Sequence, residues 1–167
     1  MRDFDDNEFP LAYLITFRCY GTWLHGDERG SYRRSSGRRP VRVPPRPRLV
    51  AAETEQLKHL PVQLNNSQRK IVEDAIREVC LHRRYTLYAV NARTNHVHSV
   101  VSASRVPEPI LTAFKSYSTR ALRIAGLDNN IQPWSRHGST VYLWKERDLN
   151  KGIEYVVLGQ DHPFAAD

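Results

Sequence analysis

Four stretches of the chain carry the residue pattern of β-strands. Residues 11–20 are apolar at nearly every position, which is typical of a central strand covered on both faces. Residues 85–90 and 96–103 are rich in β-branched and aromatic residues and flank a short polar segment, so they predict an antiparallel hairpin with a turn over residues 91–95. Residues 140–144 predict the fourth strand.

Apolar residues recur at helical spacing in three further stretches. Residues 67–84 predict a helix with Ser67 as its N-cap. Residues 107–126 begin with Pro-Glu-Pro and end at a glycine, and residues 149–158 follow Asp148, a typical capping residue. The predicted buried stripe of the second helix consists of Ile110, Phe114, Tyr117, Ala121 and Ile124.

The order of these elements predicts the fold class. Strand, helix, strand, strand, helix, strand and helix follow one another, without an internal repeat. A βαββαβ order forms a ferredoxin-like antiparallel sheet with helices on one face and the other face available for a site. We therefore expect an α+β protein with one domain over residues 1–167 and an additional C-terminal helix.

The charge of the chain favours a nucleic-acid partner. The formal net charge is +7 and the isoelectric point is near 9.7, and most of the cations are arginines, which suit planar contact with phosphate. No apolar run approaches the length of a membrane span, and the start lacks the apolar segment of a signal peptide. We expect a soluble, intracellular protein without a membrane partner, in which Cys19 and Cys80 are reduced core thiols.

Residues 29–52 form a basic segment without any acidic residue. Four prolines and eight arginines alternate there with serine and glycine, a composition that predicts neither a core nor a regular helix. Two interpretations compete: a flexible arm that orders on nucleic-acid phosphates, which we favour, and a solvated basic loop. Residues 53–59 predict a short helix after it.

The segment from Asn95 to Val101 contains the strongest chemical pattern, His96-Val97-His98. Side chains alternate between the two faces of a strand, so the two imidazoles point the same way and Val97 points the other way. Two adjacent imidazoles can bind one metal ion. The alternative interpretation is that they are two polar residues on a solvated face.

Two stretches resemble a known family. The residues Asn-His-Val-His-Ser-Val-Val at 95–101 resemble the HUH motif of the single-tyrosine transposases, including the REP-associated tyrosine transposases. The tail, with Tyr-Leu-Trp at 142–144 and Ile-Glu-Tyr-Val-Val-Leu-Gly-Gln at 153–160, resembles the catalytic helix of that family. There a tyrosine is followed about one helical turn later by a Gln or Asn.

The resemblance implies a metal-dependent endonuclease and strand transferase, acting on single-stranded DNA that folds into hairpins. It implies that His96 and His98 are metal ligands, that Gln160 is the third ligand and that Tyr155 is the nucleophile. It also implies a cytoplasmic, nucleoid-associated protein of bacterial type, either a monomer or a homodimer.

The implied chemistry is consistent with the properties of these residue types. Tyrosine has a pKa near 10 and is a weak nucleophile at neutral pH, so a cation that polarises the scissile phosphate would assist it. Imidazole and amide ligands facing a phosphate substrate suit Mg²⁺ or Mn²⁺. The product would be a 5′-phosphotyrosine and a free 3′-hydroxyl, and a 3′-hydroxyl could reverse the step and rejoin strands.

The third ligand departs from the family pattern. The polar ligand usually follows the tyrosine by four residues, but position 159 is glycine here and Gln160 lies five residues after Tyr155. Gly159 could end the helix in a left-handed turn and bring Gln160 back toward the histidines. If it does not, Asp161 or His162 would have to serve.

Several basic side chains are candidates for DNA contact. They are Arg33, Arg34, Arg38, Arg39, Arg42, Lys115, Arg123 and Arg136. Trp23 and His25 lie in a glycine-rich loop and are either site residues or loop structure, and Trp23 or Trp134 could stack on bases. The competing function is a noncatalytic ferredoxin-like module that binds nucleic acid.

Overall fold

The computed structural model describes residues 9–24, 27–28, 31–33 and 41–158, and the side chains of 31–33 and 41 are not described. In chain order its elements are β1 (Ala12–Cys19), β2 (Ser31–Arg33), β3 (Val41–Val43), α1 (Pro47–Glu55), α2 (Asn66–Arg83), β4 (Thr86–Ala92), β5 (His96–Ser102), α3 (Pro107–Ile124), β6 (Trp134–Leu143) and α4 (Glu146–Leu158).

The predicted antiparallel sheet is confirmed. Its strands lie in the order β4-β5-β1-β6, and every neighbouring pair is antiparallel. The first strand of the chain is therefore central, and the hairpin with the two histidines pairs along one of its sides. This is the strand order of a ferredoxin-like α+β fold.

Helices α2 and α3 cover one face of the sheet. The odd-numbered positions of β1, from Tyr13 to Cys19, face these helices together with Val97 and Val101 of β5. Phe114 of α3 is fully buried in the same cluster. Burial of this apolar surface is the main stabilising term of the fold. Tyr117 packs against the cluster as predicted, whereas Ile124 is 81% exposed because α3 ends at that residue.

Helix α4 covers part of the opposite face. Leu14, Val100, Leu143 and Val156 form a smaller buried cluster there, and Tyr155 packs against it. The even-numbered residues of β1 and β5 therefore lie on this face. Those at one end of the two strands are covered by α4, and the others follow farther along the sheet. The site described below lies on this face.

The basic segment was predicted to form neither a core nor a regular helix, and the prediction is wrong for the helix, since the helix expected over residues 53–59 spans Pro47–Glu55 instead. Strands β2 and β3 pair as a small antiparallel sheet, and α1 begins at Pro47, inside the segment. Proline is well accommodated in the first turn of a helix, where its missing N–H needs no partner. No residue of α1 is buried, so local preferences rather than a core determine it.

Three predicted boundaries are corrected. The N-cap of α2 is Asn65, whose side chain forms a capping box with Gln68, and Ser67 lies inside the first turn. Strand β6 begins at Trp134, within what was predicted to be a loop. Helix α4 begins at Glu146, so Asp148 is a buried residue of its first turn. Both cysteines are buried and unpaired.

Gly138 brings β6 unusually close to β1 and α3. A Cβ atom at this position would lie 2.8 Å from the carbonyl oxygen of Thr16 and 2.8 Å from Leu111 Cδ2. We expect Gly138→Ala to lower the free energy of unfolding by about 1–3 kcal/mol, because the β1 backbone would have to move. Urea unfolding would measure it, with the exposed neighbour Ser139→Ala as the control. Equal stability of Gly138→Ala and the wild type would contradict this close packing.

Candidate active site

His96 and His98 lie side by side on the face of the sheet that carries α4. Their ring centroids are 4.5 Å apart and the ring planes are nearly perpendicular, at 74°. Val97, between them, is buried in the cluster on the other face. The predicted alternation is therefore confirmed, and it follows from the pleat of β5 alone.

Each imidazole uses its Nδ1 atom in a hydrogen bond with a neighbouring polar side chain. His98 Nδ1 lies 2.8 Å from Thr16 Oγ1, because Thr16 is its partner across the β1–β5 ladder. His96 Nδ1 lies 2.6 Å from Asn95 Oδ1 and donates to it. Such bonds orient a metal-binding histidine and leave Nε2 as the nitrogen that a metal ion could reach.

His98 is held neutral by its surroundings. Only 5% of the residue is exposed. The pKa of His98 is lowered from 6.5 to about 3. Burial is the largest cause, and the positive charges of His96, Arg18 and Arg93 add to it. A neutral imidazole has a lone pair to offer, so His98 is a suitable metal ligand throughout the physiological pH range.

Tyr155 lies on α4 with its ring against His98. The ring centroids are 5.2 Å apart and the planes meet at 73°. Asn91 of β4, the ladder partner of His98, donates from Nδ2 to the carbonyl oxygen of Val156 at 2.9 Å, which fixes α4 beside the histidines. Burial raises the pKa of the Tyr155 phenol, and the charge of Arg18 opposes this.

The third predicted ligand lies outside the described residues. Gly159 and Gln160 are not part of the described chain, so the expected left-handed turn at Gly159 stays a prediction. Within the residues that are described, no group of three or more His, Cys, Asp or Glu side chains could hold a metal ion. The pair His96 and His98 fits a metal as two of its ligands.

Three residues of the site were missed by the sequence analysis: Thr16, Arg18 and Asn91. Each is a ladder partner of His96 or His98 from a neighbouring strand. Because side chains alternate along β1, Thr16 and Arg18 lie on the same face of the sheet. Only the pairing register between β1 and β5 shows that this is the face that carries the two histidines. The sequence left open whether Trp23 is a site residue or part of the loop structure. In the structure its ring lies under the Arg18 guanidinium, and the guanidinium carbon is 3.5 Å from the ring centroid.

A basic groove of about 920 Å³ lies between α3 and the segment 129–136. Its lining includes Lys115, Thr119, Arg120, Arg123, Trp134 and Arg136. Arg123 and Arg136 are exposed, as a phosphate contact requires.

Lys115 has a structural role in this groove. Its ammonium donates to the carbonyl oxygens of Ser135 (2.8 Å) and His137 (3.1 Å), so it ties α3 to β6, and burial lowers its pKa. The Trp134 indole is buried and donates to Thr119 Oγ1 at 3.0 Å, so this tryptophan supports the wall of the groove instead of offering a face for stacking on bases.

The arginines of the basic segment are only partly described. Arg42 lies on β3 and is exposed. The backbone of Arg33 forms part of β2, but its side chain lies outside the described residues, as do Arg34, Arg38, Arg39 and His25. Their predicted contacts with DNA stay predictions. Among the helices of the described chain, none is long and apolar enough to cross a membrane.

The low pKa of His98 predicts how stability depends on pH. In metal-free buffer the unfolded imidazole takes up a proton below pH 6.5, whereas the folded one does so only near pH 3. Stability is therefore fully present above pH 6.5 and decreases as the pH falls through this window, by up to about 1.4 kcal/mol per pH unit. Urea unfolding between pH 7 and pH 5 would measure the slope.

The matched variant for this prediction is His98→Gln, which has no titratable group at this position. Its unfolding free energy is expected to vary less with pH than that of the wild type. The difference between the two slopes should correspond to about one proton taken up on unfolding in this range. Equal slopes for the two proteins would show that His98 is protonated in the folded state and would contradict the buried, neutral imidazole.

Comparison with known proteins agrees with this architecture. A family model described as "Transposase IS200 like" matches residues 58–146. The structure of a REP-associated tyrosine transposase bound to a REP hairpin superimposes with a TM-score of 0.53 at 12% identity, over 95% of this chain and 72% of that one. At this identity the similarity establishes a shared fold.

Two further results complete the comparison. A crystal structure of a candidate transposase from Deinococcus radiodurans R1 gives a TM-score of 0.48 at 13% identity, over 95% of this chain and 97% of that one. No curated protein matches the chain. The family model covers more than half of the sequence, including both histidines of the site. The chain belongs to the IS200-like transposase family.

Proposed function

We propose that this protein is a metal-dependent single-stranded DNA endonuclease and strand transferase that nicks and rejoins hairpin-containing DNA through a 5′-phosphotyrosine intermediate. The observation that carries the proposal is the position of Tyr155, whose ring centroid lies 5.2 Å from that of His98 beside the His96–His98 pair. The family match ends at residue 146, so the role of Tyr155 rests on this position and on the resemblance of its helix.

The residues present fit a divalent cation such as Mg²⁺ or Mn²⁺. His98 is neutral, both Nδ1 atoms are engaged by polar partners and both rings stand on one face of β5. When bound, the cation would polarise the scissile phosphate and offset its negative charge. Gln160 is the proposed third ligand, and Gln160→Ala should weaken metal affinity if Gly159 turns the chain back as predicted.

The proposed step is an exchange of phosphate esters. The phenolic oxygen of Tyr155 attacks phosphorus, the bond from phosphorus to the 3′-oxygen breaks, and the 3′-oxygen leaves as a hydroxyl with a proton from solvent. The phenol proton is released to solvent. Because the new bond is again a phosphodiester, a free 3′-hydroxyl can reverse the step and join strands.

DNA binding is proposed for the basic groove and the basic segment. Arg120, Arg123 and Arg136 line the groove, and arginine binds phosphate through parallel N–H bonds. The structurally similar REP-associated transposase is bound to a DNA hairpin, which favours a hairpin as the ligand here. Binding of this kind weakens steeply as salt increases.

A covalent adduct assay tests the proposal. The protein is incubated with 3′-labelled single-stranded DNA containing a hairpin and with Mn²⁺, then denatured in SDS. A labelled protein band is expected, because the 5′-phosphate of the labelled fragment stays on Tyr155. Tight hairpin binding without an adduct, over a panel of hairpins and with either metal, would instead identify a noncatalytic DNA-binding module.

A further inference from the structure

Arg18 places a positive charge at the proposed catalytic site, and the roles assigned so far do not use it. It follows Thr16 by two positions on β1, so it lies on the histidine face, and its ladder partner on β5 is His96. Thr16–His98 and Arg18–His96 are therefore consecutive pairs along one row. The row begins under α4 and ends at Arg18.

Trp23 holds the Arg18 side chain in place. The guanidinium carbon lies 3.5 Å from the centroid of the indole ring, which is the distance of a cation stacked on an aromatic face. Stacking uses the flat face of the guanidinium, whereas hydrogen bonds to phosphate use its N–H edges. Both contacts can therefore exist together, and the stack would orient the edges.

The electrostatic effects of Arg18 agree with this placement. Its charge acts on both groups of the proposed chemistry: it contributes to the lowered pKa of His98, and it opposes the rise of the pKa of Tyr155. The geometry behind these effects is a chain of neighbours: Arg18 is the ladder partner of His96, whose ring lies against that of His98, and the ring of His98 lies against that of Tyr155.

Strand β6 is distorted opposite Arg18. Phe17 pairs with Gly138 and Cys19 pairs with Trp134, so the three residues 135–137 lie opposite the single residue Arg18. Bulges of this kind are frequent beside active sites. One of the three is Arg136, which also lines the basic groove. Arg18 thus has His96 as its partner on one side of β1 and the bulged segment 135–137 of β6 on the other.

We propose that Arg18 binds the non-bridging oxygens of the scissile phosphate and is a catalytic residue, with Trp23 as the residue that positions it. The proposal rests on the proposed function. A guanidinium at this place would offset the charge that builds on phosphorus-bound oxygens as Tyr155 attacks.

The first test measures cleavage. Arg18→Gln is expected to slow formation of the covalent adduct about 100-fold under single-turnover conditions, and Arg18→Lys to slow it by roughly tenfold, since lysine keeps the charge but not the planar fork. The control is Arg77→Gln, which removes one exposed arginine of α2 on the opposite face of the sheet and should cleave like the wild type. Equal rates for Arg18→Gln and Arg77→Gln would overturn the proposal.

The second test does not depend on cleavage. In the Tyr155→Phe background, the affinity for the hairpin DNA is measured by fluorescence anisotropy over a range of salt concentrations. Loss of one phosphate contact in Arg18→Gln should reduce the slope of log affinity against log salt by roughly 0.7–0.9, and Arg18→Lys should retain it. An unchanged slope in Arg18→Gln would contradict a phosphate contact.

The positioning role of Trp23 is tested by substituting it in proteins that retain Arg18 and in proteins that lack it. Trp23→Leu should slow adduct formation, and Trp23→Phe should restore much of the rate because a ring is again present. In the Arg18→Gln background, Trp23→Leu should have no further effect; an equal loss in both backgrounds would show that Trp23 acts only on folding. If the wild type forms no adduct, the proposed function fails, and the salt slope alone decides whether Arg18 contacts phosphate.

Discussion

The Tyr155→Phe variant is expected to bind hairpin DNA as the wild type does and to form no covalent adduct. The substitution removes only the phenolic oxygen, which is the proposed nucleophile, so the rate should fall by at least about 10³-fold. The aromatic ring against His98 is retained, so the fold should be preserved and the stability should change by less than about 1 kcal/mol. SDS gels of reactions with labelled DNA measure the rate.

The position of the label tests the polarity of the attack. With 3′-labelled DNA the protein band should carry label, and with 5′-labelled DNA the label should appear in a shorter free strand that ends in a 3′-hydroxyl. The control is Tyr142→Phe, a tyrosine whose ring lies against Tyr13 on the face that carries α2 and α3. A persistent adduct in Tyr155→Phe, or label on the protein from the 5′ end, would refute the assigned nucleophile.

The sheet and the orientation of the histidines could be predicted because both depend on local patterns. The alternation of β5 alone places His96 and His98 together and Val97 opposite them. The order of strands and helices is sufficient for the α+β fold, and Tyr117 was correctly placed against the core. Local patterns failed where no core was involved: α1 begins at a proline that was interpreted as a helix breaker, and it buries no residue.

The surroundings of the histidines depend on contacts between distant residues. Thr16 bonds to His98 across 82 residues of sequence, and Asn91 bonds to Val156 across 65. Such partners are set by strand register, and a bulge in β6 shifts that register opposite Arg18. The spacing of residues along one sequence carries no information about it. The same reasoning explains Lys115, which a charge count assigns to phosphate but which the fold uses to join α3 and β6.

Alanine substitution of either histidine is expected to remove Mn²⁺ binding and cleavage together. Loss of a residue that only orients a metal ligand typically costs 10–100-fold in affinity, so loss of a ligand itself should cost at least about 100-fold. Isothermal titration calorimetry of metal-free protein would measure the affinity, and the adduct assay the activity. The two variants should differ in stability. His98→Ala removes a buried ring and the partner of Thr16, at a cost of about 1–3 kcal/mol, whereas His96 is less buried.

His96→Ala is therefore the more decisive variant, since its loss of metal cannot be ascribed to unfolding. His82→Ala, on the exposed last turn of α2, is the matched control for general loss of an imidazole and should bind Mn²⁺ and cleave like the wild type. If His96→Ala bound Mn²⁺ with wild-type affinity, the pair would not be the metal site, and the two rings would be polar residues of the sheet without a role in metal binding. If it lost Mn²⁺ but still cleaved, Tyr155 would act without the cation, and the charge at phosphorus would have to be offset by arginine alone.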